Sequence, residues 1–216
     1  MKVLMIASSF PKMVFEEFYN GPVTDRAGWI SAFVEGTKRF EDIHLSYLVL
    51  TKDPNVKIKE LNKNGIEFYH VNYQTSLNQF FNMHEYDIYH VFGCEFSFIE
   101  YLFSLLPLDK TLFYIQGIIQ ICKDCYMADM ERFKELTPFM KWYFHYLRDE
   151  YSKRGKSEPL VYAKLKHVTG RTKMDQDFVF SLNPNAHYYE MFECLRDSFY
   201  TSEKWNISKA EPNRIL

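Results

Sequence analysis

An α/β fold, with a doubly wound, mostly parallel sheet and helices on both faces, is what this sequence predicts. Short apolar runs rich in β-formers alternate with segments whose apolar residues recur at helical spacing. Strands separated by helices pair in parallel, because each crossover returns the chain to the same end of the sheet. A length of 216 residues suits one large domain of this kind.

The elements follow in order. Residues 2–8 form the first apolar run. Thr24 is placed to cap a helix over 25–40, where Trp29, Phe33 and Val34 follow helical spacing. Residues 44–51 read as a second strand, and 67–73 as a third after the turn at Asn64-Gly65. A short helix at 77–84 leads to a fourth strand at 87–92. Residues 96–106 are helical and stop at Pro107, and 111–116 are a fifth strand. Residues 121–166 form a helical insertion with no strand inside it. Pro138 divides it, with Thr137 as cap and proline at the first helical position. Alternation then resumes with a strand at 166–169, a helix at 173–182 closed by Asn183-Pro184, a strand at 186–192 and a helix at 195–205.

The helix from Pro138 carries Phe139, Trp142, Tyr143, Phe144 and Tyr146 on nearly every side. One reading wedges it between sheet and loops. The other gives it an interfacial role, aromatics at a membrane and basic residues toward headgroups.

Apolar residues make up 47% of the chain and aromatics 18%, enough for a sizeable core with some aromatic surface. A net charge of -2 argues against a nucleic-acid partner. The charge is uneven: from Lys153 to Lys173 there are seven basic residues and one acid, Glu158. No stretch approaches the ~20 apolar residues of a spanning helix. The start, MKVLMIASSFPKM, reads as a strand and not as a signal peptide, so a cytoplasmic location is expected. Cys94, Cys122, Cys125 and Cys194 are too few and too scattered for a disulfide framework.

Ligands of doubly wound, Rossmann-like sheets sit outside the carboxyl ends of the strands. That nominates the loops at 8–26, 93–96, 116–119 and 170–174. The familiar fingerprints are missing there: SSFPKM after the first strand has no GxGxxG, and no GxxxxGK[ST] follows any strand. The Cys122–Cys125 pair has no second pair at zinc spacing, so no metal is expected. What remains is a set of strand ends. DIYHVFGCE places His90 within a strand and Gly93 and Glu95 at its exit. Gly93 allows close backbone approach, while Glu95 either accepts from hydroxyls or caps the next helix. Gln116 and Gly117 leave the fifth strand, where the amide suits a sugar hydroxyl or ties down its own loop. In HVTGRTKMDQDF, Thr172 and Asp175 fit a capping box, so a helix starts just after Arg171. Its N–H groups and Arg171 favour a phosphate. The competing reading pairs Arg171 with a carboxylate such as Glu193.

In order and spacing these residues resemble the amino-terminal domain of bacterial family-4 glycosyltransferases of surface polysaccharide synthesis. The resemblance runs through Gly28-Trp29; His90, Gly93 and Glu95; Gln116-Gly117; and Lys153, Arg154, Gly155 and Glu158. It continues through Gly170 to Asp175, Asn183 to Asn185, and Glu193, Leu195, Arg196, Phe199, Tyr200 and Trp205. The sequence departs from the pattern at Ala27, Cys94 and Cys194, and at Gln116, where many relatives place a histidine.

The resemblance implies one half of a two-domain GT-B fold. Residues 1–211 are then the acceptor-side domain, and 212–216 open a linker or the first strand of a donor domain. It implies a retaining transferase that moves a sugar from a nucleotide-sugar to a glycan or lipid-linked acceptor, with no cofactor and the donor bound by the other domain. The fragment alone is expected to be inactive. The cleft would take Gly28, His90, Gly93, Glu95, Gln116, Gly117, Arg171, Thr172, Glu193 and Arg196. Lys153, Arg154 and Lys156 would meet an anionic acceptor or the inner face of the plasma membrane. The alternatives are a stand-alone sugar- or lipid-binding Rossmann-like module, or half of a sugar-nucleotide epimerase.

Overall fold

The computed structural model describes residues 1–19, 28–93, 96, 98–125, 136–204 and 206–209. Among them, eight strands form one sheet: β1 (Lys2–Ala7), β2 (His44–Thr51), β3 (Ile58–Lys63), β4 (Ile66–Asn72), β5 (Ile88–Phe92), β6 (Thr111–Tyr114), β7 (His167–Gly170) and β8 (His187–Glu190). Their spatial order is β3-β4-β2-β1-β5-β6-β7-β8, and every pairing is parallel except β3 with β4. The helices are α1 (Phe15–Phe18), α2 (Gly28–Thr37), α3 (Leu77–Met83), α4 (Ile99–Phe103), α5 (Ile119–Cys125), α6 (Pro138–Tyr162), α7 (Lys173–Leu182) and α8 (Asp197–Thr201). The fold is α/β and Rossmann-like, as the alternation predicts.

The central strands are buried on both faces, and alternation along β1 divides the core in two. Leu4 and Ile6 join Leu48, Tyr69, Phe80, Leu102, Phe113 and Val179 on one side. Met5 and Ala7 join Phe10, Ile30, Val34, Tyr47 and Phe92 on the other. Aromatics fill both layers: Tyr47, Tyr69, Tyr114, Tyr162, Phe68, Phe80, Phe92 and Phe113 are all fully buried.

The strand at 58–63 is absent from the sequence reading. IKELNK has no apolar run because it is an edge strand, largely exposed, whose lysines discourage further pairing. Asn64 and Gly65 both take positive φ, 54° and 77°, which is what a two-residue hairpin turn between β3 and β4 needs. Two helices are shorter than their apolar spacing suggests. The one expected at 96–106 is α4, and the one expected at 195–205 is α8, with no side-chain cap at either start. The helix from Pro138 forms as predicted, with Thr137 Oγ1 accepting from Met140 N at 3.3 Å, and runs to Tyr162.

The chain goes from β1 to β2 on one side, and returns to β5 on β1's other flank. The carboxyl ends of β1 and β5 therefore flank the topological switch point, where open α/β sheets hold their ligands.

Candidate ligand site at the strand exits

At the switch point β5 ends in Gly93, whose φ of 92° a side chain would strain. Its N–H donates to Tyr114 O at 2.9 Å, which ties the exits of β5 and β6 together. Glu95 and Cys94 lie outside the described residues. His90, expected in the cleft, sits instead in mid-strand and in the core. Its ring packs on Phe92 at 4.2 Å and on Phe33 at 5.8 Å. Its Nε2 has no partner among the described residues. Burial lowers its pKa to about 3, so the imidazole is neutral at physiological pH.

The first turn of α2 lies over the same exits. Trp29 packs on Phe92 at 5.2 Å and on Tyr114 at 6.4 Å, which sets Gly28 beside them. Arg196, from the chain after β8, covers Gly28 closely. A Cβ at Gly28 would stand 3.2 Å from the Arg196 Cδ and Nε atoms and 3.4 Å from Cζ. Glycine here thus lets a guanidinium lie close against the backbone of α2. Along α2 the same segment borders a cleft of about 510 Å³, lined by Ser31, Glu35, Arg39, Cys194, Arg196 and Asp197. Cys194 is free and half-buried, and burial raises its thiol pKa, so it is no activated nucleophile.

Arg171 answers the question its position poses. Its Nη1 donates to Glu193 Oε1 at 2.7 Å and its Nη2 to Gln116 O at 2.8 Å. The guanidinium also lies 6.0 Å from the Tyr114 ring centre. The structure therefore takes the competing reading: Arg171 clamps the exits of β6, β7 and β8 through a carboxylate and a carbonyl. The anion position at α7 is filled as well. Asp175 Oδ2 accepts from Arg171 N at 2.9 Å and Thr172 N at 3.0 Å, while Thr172 Oγ1 accepts from Asp175 N at 3.1 Å. The capping box is present as predicted, and it occupies the helix end proposed for a phosphate.

Gln116 contributes its carbonyl to this clamp, while Gly117 faces open space, with nothing within 4 Å of an added Cβ. The loop they open is pinned at its far end by Glu158 of α6, which accepts from Ile119 N at 3.1 Å and Gln120 N at 2.8 Å. In sequence Glu158 stands as the lone acid of a basic stretch and as part of the resemblance, with no role in the site. Gly155, one turn earlier, permits the crossing, since a Cβ there would meet Lys123 Cδ at 2.9 Å and Gln120 Cα at 3.3 Å.

Of the three basic residues proposed as anion contacts, Arg154 alone is brought to the exits, its guanidinium 5.9 Å from the centre of Phe96 in the loop leaving β5. Lys153 faces outward, paired with Glu150 at 3.0 Å, and Lys156 is exposed. The Phe96–Arg154 contact has no signature in sequence, because 58 positions separate its partners. Among the described residues no group of His, Cys, Asp and Glu is arranged to hold a metal ion. No helix among them is long and apolar enough to cross a membrane. The segment at 212–216, expected to open a linker or a further strand, lies outside the described residues.

No family model matches the chain. No curated protein matches it either. Among solved structures, it is similar to a short-chain dehydrogenase/reductase (wide type) from Veillonella parvula in complex with NADP. The TM-score is 0.40 and the identity 8%, over 79% of this chain and 69% of that one. A likeness this low assigns this chain neither ligand nor chemistry. Two expectations are corrected by the comparisons taken together. The resemblance to family-4 glycosyltransferases finds no support, since no family model and no curated protein matches the chain. The expectation of no cofactor rested on that resemblance and falls with it.

Proposed function

We propose that this domain is a binding module for a phosphate-bearing sugar or nucleotide, seated at the exits of β1, β5 and β6 against the first turn of α2. One observation carries the reading: the Arg196 guanidinium lies against Gly28 of α2, beside the exits of β5 and β6 on which the neighbouring Trp29 packs. A guanidinium is a forked donor that suits a phosphate, and a glycine lets it lie close to the backbone there. Arg171 is held in the clamp, so the reading places the phosphate contact on Arg196, whose guanidinium also lies 5.6 Å from the Phe199 ring centre. Arg154 at the β5 loop adds a second cation near the switch point.

The described carboxylates around these exits are already in use: Glu193 on Arg171, Asp175 on the α7 amides, Glu158 on the α5 amides. The reading is therefore of binding, with no residue assigned to catalysis.

Calorimetric titration with hexose phosphates, nucleotide-sugars, NADP and free hexoses tests it. Phosphate-bearing compounds should bind and free hexoses should not. Arg196→Gln should weaken binding about tenfold, the worth of one charge-assisted hydrogen bond. Gly28→Val, which drives a side chain into that contact, should weaken it as well. Absence of binding across the series, or equal affinity in both variants, refutes the reading.

A further inference from the structure

We propose that a cavity at the amino ends of β5, β6 and β7 binds a small planar carboxylate. It lies at the opposite end of the sheet from the strand exits, and it does not depend on the ligand placed there. The cavity has a volume of about 310 Å³. Its floor is apolar, formed by Ile88 and Leu112 near the starts of β5 and β6. Leu112 stands in register with His90 on one flank and His167 on the other, so the three side chains share one face of the sheet. On that face Phe33 of α2 packs over His90. Leu112 and His167 remain half-buried, while His187 and Tyr189 are exposed, so the hollow is open to solvent.

One wall is built from rings. His167 and His187 are cross-strand neighbours on β7 and β8, with ring centres 5.3 Å apart and planes inclined by 17°. Tyr189 adds a third nearly parallel ring at 6.1 Å. Its hydroxyl meets His167 Nδ1 at 3.2 Å, which fixes the imidazole against the cavity. The rim is completed by the turn before β6, anchored where Thr111 Oγ1 donates to Pro107 O at 2.8 Å. That turn brings Asp109 and Lys110 to the cavity. Asp109 is the acid that lines it, and Lys166 already holds that carboxylate in an ion pair. Lys110 is exposed, and its ammonium has no partner among the described residues. The cavity therefore offers an unpaired ammonium beside an apolar floor and a flat wall. Mostly apolar pockets with one placed charge take ligands of matching build. Here the match is one negative charge on a flat apolar body. A phosphate would leave the floor unused.

Titration of the 216-residue chain with benzoate, benzamide and benzylammonium is the test, followed by the imidazole signals in NMR. The three probes share one ring and differ in charge. Benzoate should bind about three- to fivefold more tightly than benzamide, the worth of one exposed charge pair. Benzylammonium should bind more weakly than either. The His167 and His187 signals should move, and those of the buried His70 and His90 should not. Lys110→Gln, an exposed change that leaves the fold intact, should abolish the preference for benzoate over benzamide. Tyr189→Ala should weaken both by about threefold or more, because the wall loses a ring. Arg196→Gln should change neither affinity. Equal binding of benzoate and benzamide, or an undiminished preference in Lys110→Gln, overturns the proposal. So does benzoate binding that leaves His167 and His187 unmoved or is lost in Arg196→Gln, since the probe would then sit elsewhere. A dimer in light scattering that Tyr189→Ala dissolves also overturns it, because the face would then belong to a second copy.

Discussion

Arg171 and Glu193 face each other at 2.7 Å, and the same guanidinium holds the Gln116 carbonyl at 2.8 Å. One side chain thus joins the exits of three strands. Both partners are about two-thirds covered, at 35% and 31% side-chain exposure, so solvent only partly screens the pair. Arg171→Ala should cost about 1–2 kcal/mol in urea unfolding. Arg171→Lys should recover only part of this, because an ammonium cannot reproduce the forked geometry. A double-mutant cycle with Glu193→Gln should show coupling of about 1 kcal/mol. Additive effects would mean the two side chains act independently.

Much of the frame was legible in the sequence because it is local. β2 and α7 fall where apolar runs and helical spacing place them, and the caps at Thr137 and Thr172 follow from a hydroxyl before a helical pattern. The site was less legible, because its decisive contacts join distant segments. Arg196 reaches Gly28 across 168 positions and Arg154 reaches Phe96 across 58. Charge alone cannot say which arginine stands at a ligand site and which holds strand exits together. That depends on Glu193 meeting Arg171, a pairing the sequence offered only as one of two readings. His90 shows the same limit: its position in a strand was readable, but its burial between Phe33 and Phe92 required the packing of α2.

The α7 capping box allows a comparison of its two halves. Thr172 satisfies one amide, at Asp175, whereas the Asp175 carboxylate satisfies two, at Arg171 and Thr172, and is 6% exposed. Thr172→Ala should cost about 1 kcal/mol, as helix caps generally do. Asp175→Ala should cost more, about 2–3 kcal/mol, since it strands two part-buried donors. Gly170→Ala should approach the larger loss, because its Cβ would fall 2.6 Å from Tyr188 Oη and 2.9 Å from Asp175 Cβ. Thermal unfolding of the three variants gives the order directly.

His90 predicts an acid limb in the stability profile. Burial lowers its pKa from 6.5 to about 3, so below 6.5 the unfolded chain binds a proton that the folded chain refuses. Its contribution is present in full above pH 6.5 and is lost as pH falls toward 3. His70, lowered chiefly by burial, acts in the same direction. His90→Phe keeps a planar ring beside Phe33 and Phe92 and removes both the titration and the unpartnered Nε2. Between pH 6.5 and 4 this variant should lose less stability than the parent, by on the order of 1 kcal/mol or more. Parallel profiles would show that His90 is protonated in the fold.

Glu158 predicts a slope of the opposite sign. Burial raises its pKa above 4.5, and the hydrogen bonds from Gln120 and Ile119 only partly offset that. A carboxyl with a raised folded pKa holds its proton where the unfolded chain has released it. Its contribution is therefore greatest below the ordinary carboxylate range, and declines as pH rises through the folded value. Glu158→Gln should remove this decline, so the difference in stability between variant and parent should shift in the variant's favour from acid toward neutral pH. The variant still loses one of two acceptors at the start of α5, because its NH2 group meets an amide donor. At neutral pH it should therefore be less stable by about 1–2 kcal/mol. Hydrogen exchange at the Ile119 and Gln120 amides locates the effect: both should exchange faster in Glu158→Gln, while the amides of α7, capped by Asp175, should not.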